Sequence, residues 1–286
     1  MPSSSIRRAI VSADDFGLSI AVNDGIEQAH REGLLSTASL MVAGDAAADA
    51  VRRAQAMPDL RVGLHLVTIE GPAVLPAADI AALVDESGQF PPDQLGLRYA
   101  FSRTARQQLA REVAAQYRAF AASGLTLDHA NAHKHMQLHP TVGRLLIEVG
   151  RAYGLRAMRI PAEPAAVMTG LGARQGLGAR ALLGWTQLLR RQARRAGLLT
   201  NDHVFGLAWS GGMTEDRLLR LIPALPPGLS EIYFHPAAGR DATLDRLMPD
   251  YDHQGEMAAL CSPALRAALR DHRIEATTYG MAGAPH

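Results

Sequence analysis

Little in this chain of 286 residues points outward. It has one cysteine, Cys261, which rules out an intramolecular disulfide framework and fits a reducing compartment. Lys and Arg total 29 against 28 Asp and Glu, a formal charge of +1, so no overall field recruits nucleic acid. No apolar run approaches the length of a membrane span. Arg7-Arg8 is followed by only a few apolar residues before Asp14, too few for the core of a signal peptide. Aromatic residues are scarce, at 5%. There is no internal repeat, low-complexity tail or clear linker. The expectation is a soluble, cytoplasmic protein whose length and 48% apolar content are enough to bury a sizeable core.

What the chain does have is eleven histidines and an Asp-Asp pair at 14–15. Residues 9–19 open apolar and extended, pass through Asp14-Asp15, turn at Gly17 and reach Ser19, which is placed to cap a helix. That helix is expected over 19–33, with Ile20, Val22, Ile26 and Ala29 inward. Further strands are expected at 34–42, 61–68, 125–131, 155–160, 203–209, 231–235 and 273–279, and helices at 45–57, 104–122, 140–153, 214–225 and 253–272. The Pro- and Gly-punctuated stretch 71–96 reads as a long loop walling a site. About eight alternations of strand and helix predict an α/β fold, a parallel sheet closed into a (β/α) barrel; a doubly wound open sheet is the alternative.

On that plan the polar residues collect at one edge. Asp14-Asp15 end the first strand, His65 lies in the third, His129, Asn131, His133 and His135 end the fourth, Arg159 ends the fifth and His235 the seventh. The carboxyl ends of barrel strands form one face, and barrel active sites are built there. Adjacent carboxylates near a core require a compensating cation or a shared proton. Four histidines between 129 and 139 point to metal, without saying which of them ligate. One Asp oxygen and two His nitrogens suit Zn²⁺ or a similar divalent ion. One carboxylate then holds the metal while the other stays free as a base, and His235 is the natural acid for amide hydrolysis.

The strings SADDFGLS (12–19), GLHL (63–66) and the His133-Lys134-His135 cluster followed by Pro140 resemble the YdjC-like carbohydrate deacetylases, in order and over nearly the whole chain. LDHANAHKH (127–135), MRIPAEP (158–164), TNDHVFGLAWSGGMTE (200–215) and EIYFHPA (231–237) resemble the hopanoid-biosynthesis-associated (HpnK-type) branch. The resemblance implies a distorted (β/α) TIM-like barrel related to polysaccharide deacetylases, one domain over 1–286 with a variable helical insert at about 162–200. It implies a hydrolase: a divalent-metal-dependent deacetylase, with Zn²⁺ or Mg²⁺, acting on an N-acetylglucosaminyl hopanoid lipid and releasing acetate. Asp15, His65 and His133 match the family's metal ligands, Asp14 the base, His235 the acid, and Arg159 a motif arginine that orients the base. His135 is an alternative to His133 by spacing. Asn131 stands where many members have Asp, and Gln137 where a further His is expected; neither is expected to touch the ligand triad, but both are placed to alter substrate contacts or the tuning of the ligands from behind.

Residues 176–199 carry Leu182, Trp185, Leu188 and Leu189 at helical spacing, with Arg190, Arg191, Arg194 and Arg195 toward the end. This predicts an amphipathic helix, either packed on the barrel with solvated arginines or meeting anionic lipid headgroups as a peripheral membrane contact. A chitooligosaccharide deacetylase is the alternative enzyme, disfavoured by the scarcity of aromatic platforms. A non-catalytic, metal-stabilised sugar-binding protein would close its site with four ligands and need no free Asp14 beside it.

Overall fold

The computed structural model describes residues 6–92, 95–173 and 177–283; for Leu95 and residues 177–183 it describes the backbone alone. Its strands are β1 (Arg7–Phe16), β2 (Thr37–Leu40), β3 (Arg61–Leu66), β4 (Gly71–Pro72), β5 (Gln89–Phe90), β6 (Ala130–Ala132), β7 (Ala157–Met158), β8 (Leu199–Thr200), β9 (His203–Phe205), β10 (Gly228–Phe234) and β11 (Ile274–Thr277). β4 and β5 form a separate antiparallel hairpin. The others make one parallel sheet in the order β8-β7-β6-β3-β2-β1-β10-β9, with β11 paired to the first half of β1.

The two ends of that order are consecutive pieces of chain, so the sheet curls back on itself as a distorted barrel. Asn201 occupies the break between β8 and β9 and replaces the missing ladder. Its Oδ1 accepts the Ile160 N–H at 2.7 Å, and its Nδ2 donates to the carbonyls of Ile160 and His203, each at 2.9 Å. The curling separates two kinds of strand residue by their period of two. Val11, Ala13, Leu40, Leu64, Leu66, Ile232 and Phe234 join the apolar core with helix residues such as Val22, Ile26 and Val113. Ser12, Asp14, Ser39, His65, Asn131 and Glu231 alternate with them and bond one another across the interior.

Several boundaries differ from expectation for local reasons. Ile20 is 52% exposed, because Asn23 takes the inner position of its helix (Ile20–Arg31). There it accepts the Gly17 N–H at 2.8 Å and donates to the Ala46 carbonyl at 3.0 Å, closing the turn after β1. The helix expected over 253–272 is two, His253–Leu260 and Pro263–Asp271, since Ser262 caps a new start and Pro263 occupies its first turn. The stretch 71–96 holds the β4–β5 hairpin, pinned by Glu112, which accepts the N–H groups of Val74 and Leu75. Residues 207–210 and 247–251, not this stretch, supply the loop side of the main cavity.

Candidate active site

The site begins with an irregularity in β1. Its pairing with β2 matches Ala13 to Ala38 and then Phe16 to Leu40, so one residue is inserted. Asp15 takes up the extra residue in the left-handed region, at φ 64°. In a regular strand neighbouring side chains point to opposite faces; the bulge turns both carboxylates inward. A non-glycine residue there stores roughly 1–3 kcal/mol of strain, which the surrounding contacts must offset.

Asp15, His65 and His133 come together, each offering a ligand atom within 4.8 Å of the others. Asp15 Oδ1 lies 3.2 Å from His65 Nε2 and 3.2 Å from His133 Nδ1, and the two ring nitrogens are 3.4 Å apart. Both Asp15 oxygens are buried and neither has a hydrogen-bond partner among the described residues. A buried carboxylate faced only by two imidazole nitrogens, with no well-formed hydrogen bond, is costly, so these residues suit a divalent cation. His133 reaches the cluster because β6 ends at Ala132 and the chain then turns through Lys134 and His135, both at positive φ.

Asp14 is held quite differently. Arg159 grips it through Nη1 to Oδ2 at 2.5 Å and Nη2 to Oδ1 at 3.0 Å, and Asn131 Nδ2 donates to Oδ1 at 3.1 Å. Burial works to raise its pKa, but Arg159 first and then His65 hold it well below the usual carboxylate range. Arg159 also donates to Glu231 Oε1 at 2.8 Å, and its guanidinium lies 4.7 Å over the Tyr233 ring. Two acids overcome its burial and keep it firmly charged. Counting Asp14, Asp15 and Glu231 against Arg159, the buried cluster carries a formal charge of −2, which a divalent ion would neutralise.

His235 follows β10 and lines the same cavity, about 390 Å³, as Asp14, Asp15, His65 and His133. Its backbone is fixed from both sides. The His235 N–H donates to Glu256 Oε2 at 2.5 Å, and its carbonyl accepts from His253 Nδ1 at 2.7 Å. Tyr251 packs against the ring at 5.1 Å between centroids. The structure therefore gathers all six expected site residues around one cavity or directly behind it.

The remaining candidates separate. His135 lies outside the triad, with Nε2 3.1 Å from the Tyr233 hydroxyl; burial and Arg159 push its pKa down to about 3. His139 caps the helix Pro140–Ala152, accepting the Thr141 N–H at 3.2 Å. Gln137 is buried, away from the triad contacts. Asn131 departs from expectation: its Oδ1 is 2.7 Å from His65 Nδ1, in direct contact with the cluster. Ser39, Glu231 and Glu256 were not among the expected residues. Period two along EIYFH, which places Glu231, Tyr233 and His235 on one side, is the signal that could have found Glu231.

The family model described as YdjC-like protein matches residues 8–271. A carbohydrate deacetylase of Geobacillus stearothermophilus is 31% identical over 274 residues, covering 96% of this chain and 97% of that one. One of Brevibacillus brevis is 28% identical over 277 residues, covering 96% and 100%. An Enterococcus faecalis crystal structure, of a protein proposed to act in cellobiose-phosphate cleavage, superposes with a TM-score of 0.74 at 22% identity. It covers 96% of this chain and 98% of its own, and that likeness concerns the fold.

Proposed function

This chain belongs to the YdjC-like family, and from that premise we propose that it is a metal-dependent carbohydrate deacetylase. Its substrate is an N-acetylglucosaminyl hopanoid lipid, from which it removes the acetyl group as acetate. The whole chain forms one catalytic domain, with the 162–200 segment as a variable insert. The observation that carries this reading is the unequal treatment of two adjacent carboxylates: Asp15 lies bare among histidines, while Asp14 is gripped by Arg159 and Asn131.

Asp15, His65 and His133 would hold the ion, and two imidazoles with one carboxylate favour Zn²⁺ over Mg²⁺. A divalent ion bound there polarises the acetyl carbonyl and lowers the pKa of water. Asp14, kept ionised by Arg159, takes the proton of the water that attacks the carbonyl. His235 donates a proton to the sugar nitrogen as the C–N bond breaks, so the products are acetate and the free amine. The cluster offers three ligand residues among those described, one fewer than the four that close a structural zinc site.

The lipid assignment draws on the helix Leu177–Arg195. Trp185 and Leu188 are 47% and 43% exposed, and Arg191 and Arg195 are exposed beside them. Leu182 belongs to the same stripe but its side chain lies outside the described residues. Among the described residues no helix is long and apolar enough to cross a membrane, so contact with the inner face of the cytoplasmic membrane would be peripheral. A soluble N-acetyl amino sugar or chitooligosaccharide is the second reading, favoured by the Tyr233 and Tyr251 rings in the cavity and by the names of the relatives.

The test is mass spectrometry of both substrates incubated with the Zn²⁺-loaded protein, alongside lipids from cells lacking it. Deacetylation of the glycolipid, and its accumulation in N-acetylated form in those cells, is expected. Turnover of the soluble sugar alone selects the second reading, and turnover of neither removes the deacetylase assignment.

A further inference from the structure

Asn131 touches both halves of the site, and its two ends have opposite polarity. Both Asp14 oxygens accept from the Arg159 fork, so the Asn131 amide must turn its NH₂ toward Asp14 Oδ1, 3.1 Å away. The reverse orientation would set two acceptors against each other. With the NH₂ group committed, Oδ1 is what faces His65 Nδ1 at 2.7 Å, so Nδ1 must carry the proton. A neutral His65 then has its lone pair on Nε2, the nitrogen 3.2 Å from Asp15 Oδ1. Two acceptors facing each other at that distance need a proton or a metal ion between them.

We infer that Asn131 is a positioning residue that fixes the tautomer of His65 and heads a one-directional hydrogen-bond chain ending at Asp128. The inference rests on reading Asp15, His65 and His133 as a metal site. Beyond Asn131, the second NH₂ proton goes to Ser39 Oγ at 2.9 Å. Ser39 Oγ is 3.1 Å from His129 Nε2, and His129 Nδ1 is 3.2 Å from Asp128 Oδ2. Every link can be made with its donor on the metal side: His65 to Asn131, Asn131 to Ser39, Ser39 to His129, His129 to Asp128. Aligned hydrogen bonds polarise one another, and a terminal carboxylate raises the basicity of the imidazole at the far end.

The fold makes room for this chain. A Cβ on Gly63 would lie 2.4 Å from the His129 ring, so glycine in β3 is what admits the imidazole. Tyr279 stacks on the His129 ring at 5.0 Å between centroids. Asp128 is itself fixed, its Oδ1 accepting the Gly280 N–H at 2.9 Å. His129, which reads from sequence as one more candidate ligand, thus works at a distance from the ion.

Two readouts that do not involve turnover test the inference. In the metal-free protein in mildly alkaline buffer, ¹⁵N-resolved NMR of the imidazoles should show His65 protonated at Nδ1. Calorimetric titration with Zn²⁺ should show N131A binding about 10- to 100-fold more weakly than the unmodified chain, the usual cost of losing the partner of a ligating histidine. N131D keeps an acceptor for His65 Nδ1 but turns a second carboxylate toward Asp14, so it should bind Zn²⁺ more tightly than N131A while losing the donor that holds Asp14. A His65 whose Nδ1 carries no proton, or N131A affinity within about twofold of the unmodified chain, overturns the inference. If these hold while no amino sugar is deacetylated, the functional proposal fails and the assignment of Asn131 stands.

Discussion

Arg159 meets Asp14 as a fork, Nη1 on Oδ2 at 2.5 Å and Nη2 on Oδ1 at 3.0 Å, while Nη2 also reaches Glu231 Oε1 at 2.8 Å. One buried cation thus serves two buried anions, one of them the proposed base. A planar guanidinium can hold both carboxylates at once; a lysine ammonium at that depth cannot reproduce the two parallel bonds. R159K should fold but lose most turnover with Zn²⁺ affinity little changed. R159M leaves two acids unpaired and should lose about 3–5 kcal/mol of stability in urea unfolding. A loss below about 1 kcal/mol would mean that the two acids are not carried by Arg159.

The adjacent carboxylates should respond to the same substitution in opposite ways. D14N keeps the steric fill and leaves Asp15, His65 and His133 intact, so Zn²⁺ binding by calorimetry should persist while turnover falls about 10²- to 10⁴-fold. D15N removes the only anionic member of the triad and should abolish tight Zn²⁺ binding, as should H65A. Near-normal turnover in D14N would show that the base lies elsewhere.

Glu231 supplies a pH signature away from the metal ligands. Burial alone would raise its carboxyl, but Arg159, with help from the Tyr279 hydroxyl, holds it below its ordinary value of 4.5. A carboxylate depressed in the folded state contributes stability that is fully present above its unfolded pKa. That contribution is lost as pH falls through the lower folded value. The unmodified chain should therefore lose stability more steeply than E231Q as pH drops below about 4.5. Parallel acid limbs in thermal unfolding at several pH values would remove Glu231 from that account.

Much of this site is legible in sequence because strands deliver side chains by simple rules. Asp14, His65, Arg159 and His235 fall at carboxyl ends of strands, and a parallel barrel gathers such ends whatever the loop lengths. What the pattern does not carry is backbone irregularity. Strict alternation would put Asp14 and Asp15 on opposite faces and would continue β6 far enough to bring His135 beside His133. The bulge at Asp15 and the positive-φ turn at Lys134 and His135 change both outcomes. Polarity of partners is equally hidden. Asn131 looks peripheral until Asp14 and His65 are seen on either side of it.

The helix Leu177–Arg195 leads to the last prediction, because its arginines are not alike. Arg190 is half-buried and donates to the Asp202 carbonyl at 2.7 Å. Arg194 donates to Thr200 Oγ1 and Asp202 Oδ1, each at 3.2 Å, so both tie the helix to the β8–β9 junction. Arg191 and Arg195 lie on exposed positions of the same helix as Trp185 and Leu188. R190A with R194A should lower the melting temperature, since it cuts that tie. R191A with R195A should leave stability unchanged and weaken sedimentation with phosphatidylserine vesicles about 30-fold, taking about 1 kcal/mol per arginine at an anionic surface. W185A with L188A should weaken binding to neutral and anionic vesicles alike, because the apolar contribution does not depend on headgroup charge. Vesicle binding unaffected by either exposed pair would leave this helix as packing for the barrel, and the soluble sugar would become the favoured substrate.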